Sequence, residues 1–311
     1  MSPDAPIDTR APAPAPPDPI KAVPLRHPGR WVAMAVIAVL AAMFIHSIVT
    51  NPNWQWGFQL DNAFSPPVLR GVVTTIWLTV AAMVLGVMLG VMLAVMRLSP
   101  NPVLSGTAWF YIWVFRGTPV LVQLVIWGNL NSLYQNISLG VPFGPEWFTF
   151  ETRNLVPPVA AALLGLALNE AAYMSEIIRA GILSVDEGQS EAASALGMSR
   201  LQTLRRVVLP QAMRVVVPPT GNETISMLKT TSLVAYVPYV ELFFQTSSIG
   251  SRTFQPFPML VTASLWYLAM TSVLMVVQYY IERYYARGSV RTLPPTPLQK
   301  FRMRLTGVDL R

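Results

Sequence analysis

The chain has 311 residues, of which 53% are hydrophobic and only 12% charged, with a formal net charge of +7. Soluble domains carry roughly 25% charged residues, so this composition excludes an ordinary soluble protein. No cysteine is present, which excludes disulfides and thiolate metal sites.

In chain order, residues 1–30 are rich in Pro, Ala and Asp and read as a disordered cytoplasmic tail. Trp31–Val49 is uncharged and reads as an anchor helix rather than a cleaved signal peptide. Asn51–Leu69, with Trp54 and Trp56, reads as an external loop bearing interfacial aromatics. Gly71–Met96 is an uncharged span, followed by a short cytoplasmic turn at Arg97–Gly106. Ala108–Leu130 is a span holding one charge, Arg116. Asn131–Pro158 contains Gly140, Pro142, Gly144 and Pro145, so external turns rather than regular structure are expected. Val159–Ile182 is a span with Glu170, Glu176 and Arg179; Val207–Val240 is long and interrupted; Met259–Ile281 is uncharged. Residues 288–311 form a basic tail. His27 lies in the first tail and His46 near a helix end, so both read as solvated or interfacial.

These segments predict an all-α integral membrane protein with six transmembrane helices. Sixteen of the 22 Lys and Arg then fall on one side, among them Arg97, Arg200, Arg205, Arg206, Arg283 and Arg302. Arg70, Arg153 and Arg252 fall on the other. That bias places both termini in the cytoplasm, and the net charge reads as contact with membrane lipid rather than with nucleic acid.

Between two spans lies a polar stretch, residues 184–206. Ser184 and Glu187 have capping-box spacing, so a helix is expected to start there. Gly197 ends it and Ser199 with Gln202 opens a second helix. A DNA-binding helix–turn–helix shares this outline, but spans follow within a few residues on each side and leave no room for such a domain. The small Ala192, Ala193 and Ala195 permit close approach of another protein, and Glu191 would orient it. Spacing alone leaves an ordinary amphipathic loop equally open.

"EAASALG" followed by Val207 and Leu209-Pro210 resembles the EAA motif of importer-type ABC permeases, with valine in place of the usual isoleucine. "FRGTPVLVQ", "NEAAYMSEIIRAGI", "GQSEAASALGMSR" and "LKTTSLV" resemble the polar amino-acid uptake branch, the histidine, glutamine and arginine permeases. The resemblance covers residues 68–287 as a permease domain. Outside it lie residues 31–67, an anchor helix with an external loop, and the stretch 131–158 falls outside the expected core. It implies a coupling helix that docks in an ATPase subunit through Glu191, Ala192, Ala193, Gly197, Leu209 and Pro210. It further implies two ATPase subunits, a second permease copy or paralogue, an extracytoplasmic substrate-binding protein, an amino-acid substrate and a bacterial plasma membrane. The three lysines, Lys21, Lys229 and Lys300, all lack a preceding glycine, so the sequence holds no P-loop. ATP and its Mg²⁺ are therefore expected on the ATPase, with no cofactor bound by this chain and no enzymatic activity.

Charges at membrane depth cost about 2.5–3.5 kcal/mol each and usually face a cavity or a protein interior. Asn169, Tyr173 and Glu176 share a helix face, with Glu170 beside Asn169. Pro218-Pro219-Thr220-Gly221 is expected to break the fifth span, with Asn222, Glu223, Ser226 and Lys229 following. Glu170 or Glu223 would hold a substrate ammonium, and Lys229, Arg116 or free backbone N–H groups its carboxylate. Pairing of these groups with one another at a permease interface is the alternative; for Arg116 a snorkelling, structural role is favoured. An ion-gradient-driven carrier would use the same carboxylates but has no ATPase to dock. No nucleophile–base or metal constellation appears, so no catalytic or metal-binding residue is expected.

Overall fold

The computed structural model describes residues 28–285; the two expected tails otherwise lie outside these. The chain divides into two compact units, one up to Trp54 and one from Gln55. The first consists of α1 (Pro28–Thr50) and a short 3₁₀ turn, Pro52–Trp54. The residues of α1 from Trp31 on are exposed almost throughout, as suits a helix of mean hydropathy 2.5 whose solvent is lipid.

The second unit contains α2 (Trp56–Ala63), α3 (Pro66–Arg97), α4 (Pro102–Gly117), α5 (Val120–Gly128) and α6 (Leu130–Leu133). Then come β1 (Asn136–Gly140), β2 (Glu146–Glu151), α7 (Thr152–Leu155), α8 (Pro158–Leu183), α9 (Glu187–Ala195) and α10 (Arg200–Thr203). After a π-helical turn at Leu204–Val208 follow α11 (Leu209–Thr230), a 3₁₀ turn at Thr231–Tyr236, α12 (Leu242–Thr253) and α13 (Pro256–Tyr285). Proline opens α3, α4 and α8, where its missing N–H has no intrahelical partner to lose.

Among the described residues four helices are long and apolar enough to cross a membrane: α1 from Gly29, α3, α8 and α13. A fifth crossing arises if α4 and α5, bent by 98° at their junction, act as one span. The expected sixth span corresponds to α11, which is too polar to qualify on apolarity.

Several expectations are corrected. The fold is mostly helical but not all-α, because the stretch from 131 to 158 contains an antiparallel hairpin, β1 on β2. Its alternating apolar and polar residues supply a strand period that the Gly/Pro content masked. The stretch after α1, expected as an external loop, is largely helical, as α2. The span expected over Ala108–Leu130 is two helices. Pro218 and Pro219, expected to break the chain, lie inside an uninterrupted α11.

The core joins α3, α5, α8 and α11 through Leu78, Leu124, Leu166, Met174 and Met227. A β-carbon at Gly90 would stand 2.7 Å from Met174 Cβ, and one at Gly86 would stand 2.6 Å from Glu170 Cγ. Small residues thus let α3 approach α8 closely, as helices in lipid commonly pack. A second cluster, Val68, Val72, Leu228, Leu242, Met259 and Met270, ties α12 and α13 to the start of α3.

Candidate functional site

The α4–α5 break is built by its own sequence. Thr118 is extended (φ −119°, ψ 144°), as the residue before a proline prefers, and Pro119 supplies no N–H. The carbonyls released at the bend find side-chain donors. Gln123 Nε2 shares its hydrogens among Phe115 O (3.0 Å), Thr118 O (3.1 Å) and Thr118 Oγ1 (2.8 Å). Asn169 Nδ2, from α8, donates to Phe115 O (3.0 Å) and to Gln123 Oε1 (3.2 Å). Non-helical backbone at membrane depth is tolerated only when satisfied in this way or facing a cavity.

Both conditions hold here. A cavity of about 320 Å³ adjoins the break, lined by Val120, Leu166, Asn169, Glu170, Tyr173, Glu223, Ser226, Met227 and Thr230. Glu170 is 4% exposed, and among the described residues no donor reaches its Oε1. Gly86 makes the room its side chain occupies. Glu223, from α11, faces the same space and is half-buried. Val120 is the first residue of α5, so the positive end of that half-helix borders the cavity.

The sequence-predicted residues divide between two places. Asn169, Glu170, Tyr173, Glu223 and Ser226 meet in this cavity. Asn222 and Lys229, with Ser226 shared, line a separate cavity of about 430 Å³ against Gln278, Tyr279 and Glu282 of α13. There Gln278 Nε2 donates to Asn222 Oδ1 (3.0 Å), Glu282 Oε1 (2.6 Å) and Pro218 O (3.3 Å). Lys229, one of the groups offered for the substrate carboxylate, therefore opens on a different cavity from Glu170 and Glu223. Glu176 is held by Arg179, whose NH2 lies 2.6 Å from its Oε2. Arg116 is exposed and stacks over the Tyr173 ring at 5.0 Å. Sequence reasoning missed Gly117–Pro119, Val120 and Gln123 as site-forming. The Gly-Thr-Pro run inside an apolar span was the available signal.

The polar segment between α8 and α11, expected to be cytoplasmic, folds as a helix, a turn and a helix. Its start differs from expectation: Asp186, not Ser184, caps α9 by accepting from Gly188 N at 2.8 Å. Ser184 instead follows the last turn of α8 and donates to Gly181 O. Gly197 has φ +75°, and the bonds Met198 N–Ala193 O (3.1 Å) and Gly197 N–Ser194 O (2.9 Å) complete a Schellman C-cap. Ser199 and Gln202 form the expected reciprocal capping box. Glu191, Ala192 and Gly197 are exposed, whereas Ala193 is buried against its own chain and cannot be a docking surface. Leu196 and Leu201, 82% and 72% exposed, present apolar surface that the motif reading passed over. Leu209 and Pro210 follow the π turn, which accommodates a proline without its N–H.

A half-helix that starts beside one buried and one half-buried carboxylate in a multi-span helical membrane protein is the pattern of a transport site. Residues 86–287 match the family described as "Binding-protein-dependent transport system inner membrane component", and the chain belongs to that family. It is a permease subunit of an ABC importer, not an enzyme and not an ion-gradient-driven carrier. It is 52% identical over 281 residues to the arginine transport system permease protein of Corynebacterium glutamicum, covering 90% of this chain and 87% of that one. It is 38% identical to the nopaline transport system permease protein of Agrobacterium fabrum, covering 67% and 83%. Among solved structures it resembles an amino acid ABC transporter with histidines, with a TM-score of 0.60 and 33% identity over 71% of this chain and 95% of that one.

Proposed function

We propose that this permease carries a cationic amino acid, arginine or a close analogue, inward across the bacterial plasma membrane. The observation that carries this reading is the buried, unpartnered carboxylate oxygen of Glu170 facing the same cavity as Glu223. Two carboxylates suit two cationic groups, an ammonium and a guanidinium, and charge-assisted bidentate contacts are the strong ones. The start of α5 and the nearby Arg116 suit the substrate carboxylate. The similarity to arginine and nopaline permeases supports the same substrate class.

In this reading α11 is the sixth crossing. Its 22 residues measure about 33 Å at 1.5 Å per residue, and its polarity is what a path-lining helix needs. Both termini are cytoplasmic. Two ATPase subunits bind ATP and Mg²⁺ and receive α9 and α10 through Glu191, Ala192, Leu196, Gly197 and Leu201, with Leu209 and Pro210 fixing the root of α11. A second permease copy or paralogue covers the polar face of Asn222, Ser226 and Lys229, and a binding protein delivers the substrate.

Glu170→Gln tests the substrate reading. It keeps shape and hydrogen bonding but removes a charge-assisted contact of about 1.5–3 kcal/mol, so uptake of arginine should fall roughly ten- to hundredfold. Uptake of a neutral amino acid, where measurable, should change far less, with normal yield of the ATPase complex. Loss of the complex with no change in selectivity would identify a purely structural carboxylate.

A further inference from the structure

The hairpin of β1 and β2 has two faces of opposite character. Ile137 stands opposite Phe150, and Leu139 opposite Phe148, so these four side chains share one face. Leu139, Phe148 and Phe150 are exposed there. The other face carries Ser138, Thr149, Asn136 and Glu151. It is stitched by Glu146, whose Oε2 accepts from Ser138 Oγ at 2.7 Å and Thr149 Oγ1 at 3.4 Å. At the tip Phe143 is fully exposed and held at φ +61°, a conformation a β-carbon penalises. Trp147 sits at the bulge, also exposed.

An isolated two-stranded hairpin is marginal in water, so the apolar face needs a cover. Its surroundings indicate which. Seven residues separate α5 from β1 and six separate β2 from α8, so both strands are rooted close to the ends of these helices. Exposed apolar residues run without interruption of kind from Val122, Val125 and Ile126 of α5 through Leu133 and Tyr134 into the hairpin, and out through Leu155. The whole segment 117–152 contains no Lys or Arg, and its only charges, Glu146 and Glu151, are off the apolar face. Aromatic and aliphatic residues on one side and polar ones on the other are the pattern of an element lying in a membrane interface.

We propose that the β1–β2 hairpin is an interfacial anchor whose apolar face and Phe143 tip insert into the headgroup–acyl boundary of the extracytoplasmic leaflet. The side of the membrane rests on the topology given under Proposed function; the lipid contact does not. It would steady the outer ends of α5 and α8, and with them the α4–α5 break, against the bilayer.

The absence of native cysteine makes the test direct. Nitroxides are placed singly by Phe143→Cys, Phe148→Cys and Thr149→Cys in the full chain, in nanodiscs of phosphatidylcholine and phosphatidylglycerol. Collisions with oxygen and with a water-soluble nickel chelate are compared. At 143 and 148 the oxygen-to-nickel ratio should exceed that at 149 by about fivefold. Equal ratios at all three sites would overturn the anchor, leaving a hairpin in water. Shielding of 143 and 148 from both reagents would overturn it in favour of a protein cover. So would protection that appears only when the binding protein is added. Labelling of Thr149→Cys in intact cells by an impermeant maleimide checks the side separately, and its failure would count against the topology rather than the lipid contact. As an internal control, Phe148→Asp should shift the reporter at 143 toward nickel; no shift would mean the two positions do not enter one phase.

Discussion

Proline stands inside two polar-flanked helical segments, and only one of them breaks. At Gly117-Thr118-Pro119 the chain turns by 98°. At Pro218-Pro219 it continues as helix for 11 more residues. The difference lies in the neighbours. At the first place Gly117 and the extended Thr118 precede the proline, and Gln123 and Asn169 wait to satisfy the freed carbonyls. At the second, α13 braces the helix from outside: Gln278 binds Pro218 O and Asn222, and Gly221 leaves room for it. A proline weakens a helix, but whether the helix breaks depends on which conformation the surroundings satisfy.

The largest expected effect follows from removing the break. In a Gly117→Ala/Pro119→Ala variant the backbone donor returns, with a helix preference of about 3 kcal/mol for the proline replacement alone. A straighter α4–α5 would withdraw Val120 from the cavity and strand the amides of Gln123 and Asn169. Arginine uptake in vesicles should fall by roughly a hundredfold while the assembled complex is still recovered. Near-normal uptake would show that the break is scaffold and not part of the path.

A second effect separates the path from the coupling turn. Gly197 at φ +75° adopts a conformation that costs an L-residue about 1–2 kcal/mol. Gly197→Asp adds a charge to that strain on an exposed turn. Co-purification with the ATPase should drop roughly tenfold, with membrane insertion unchanged, since the strain and the lost complementarity together reach about 1.4 kcal/mol or more. Glu170→Gln should leave association intact, so the two variants fail at different steps. Full association of the Gly197 variant would remove this turn from the coupling interface.

Legibility from sequence followed the same divide. The spans, Gly197 as a C-cap and the Ser199–Gln202 box are local, and local rules found them. The convergence of Glu170 and Glu223 was visible only as depth, because α8 and α11 are brought together by packing rather than by sequence spacing. Asn169 was read as facing substrate, but its amide is occupied with the break. Lys229 was grouped with Glu223 because both follow Pro219, yet they open on different cavities. The capping role of Asp186 was overlooked because Ser184 offered the more familiar spacing. The hairpin was hidden by its own turn residues. The Gly-Thr-Pro break lies inside a stretch apolar enough to read as one span, and one of the amides that satisfies it, Asn169, comes from α8, far away in sequence.

The smallest expected effect tests that reasoning directly. Pro218→Ala restores one backbone donor inside a helix that is already continuous, so the native path should barely move. Removing an interior proline favours the helix, and each kcal/mol regained should raise the thermal midpoint by at most about 2–4 °C. Uptake should stay within about twofold of wild type, because Gln278 still holds Asn222 and Glu223 keeps its helical position. The measurement is a melting curve beside an uptake assay on the same preparation. A rise in stability with unchanged uptake assigns the α11 prolines to tuning the helix. A loss as large as that of the Gly117/Pro119 variant would mean that α11 must bend during transport, and that the second proline site is a hinge the resting structure holds closed.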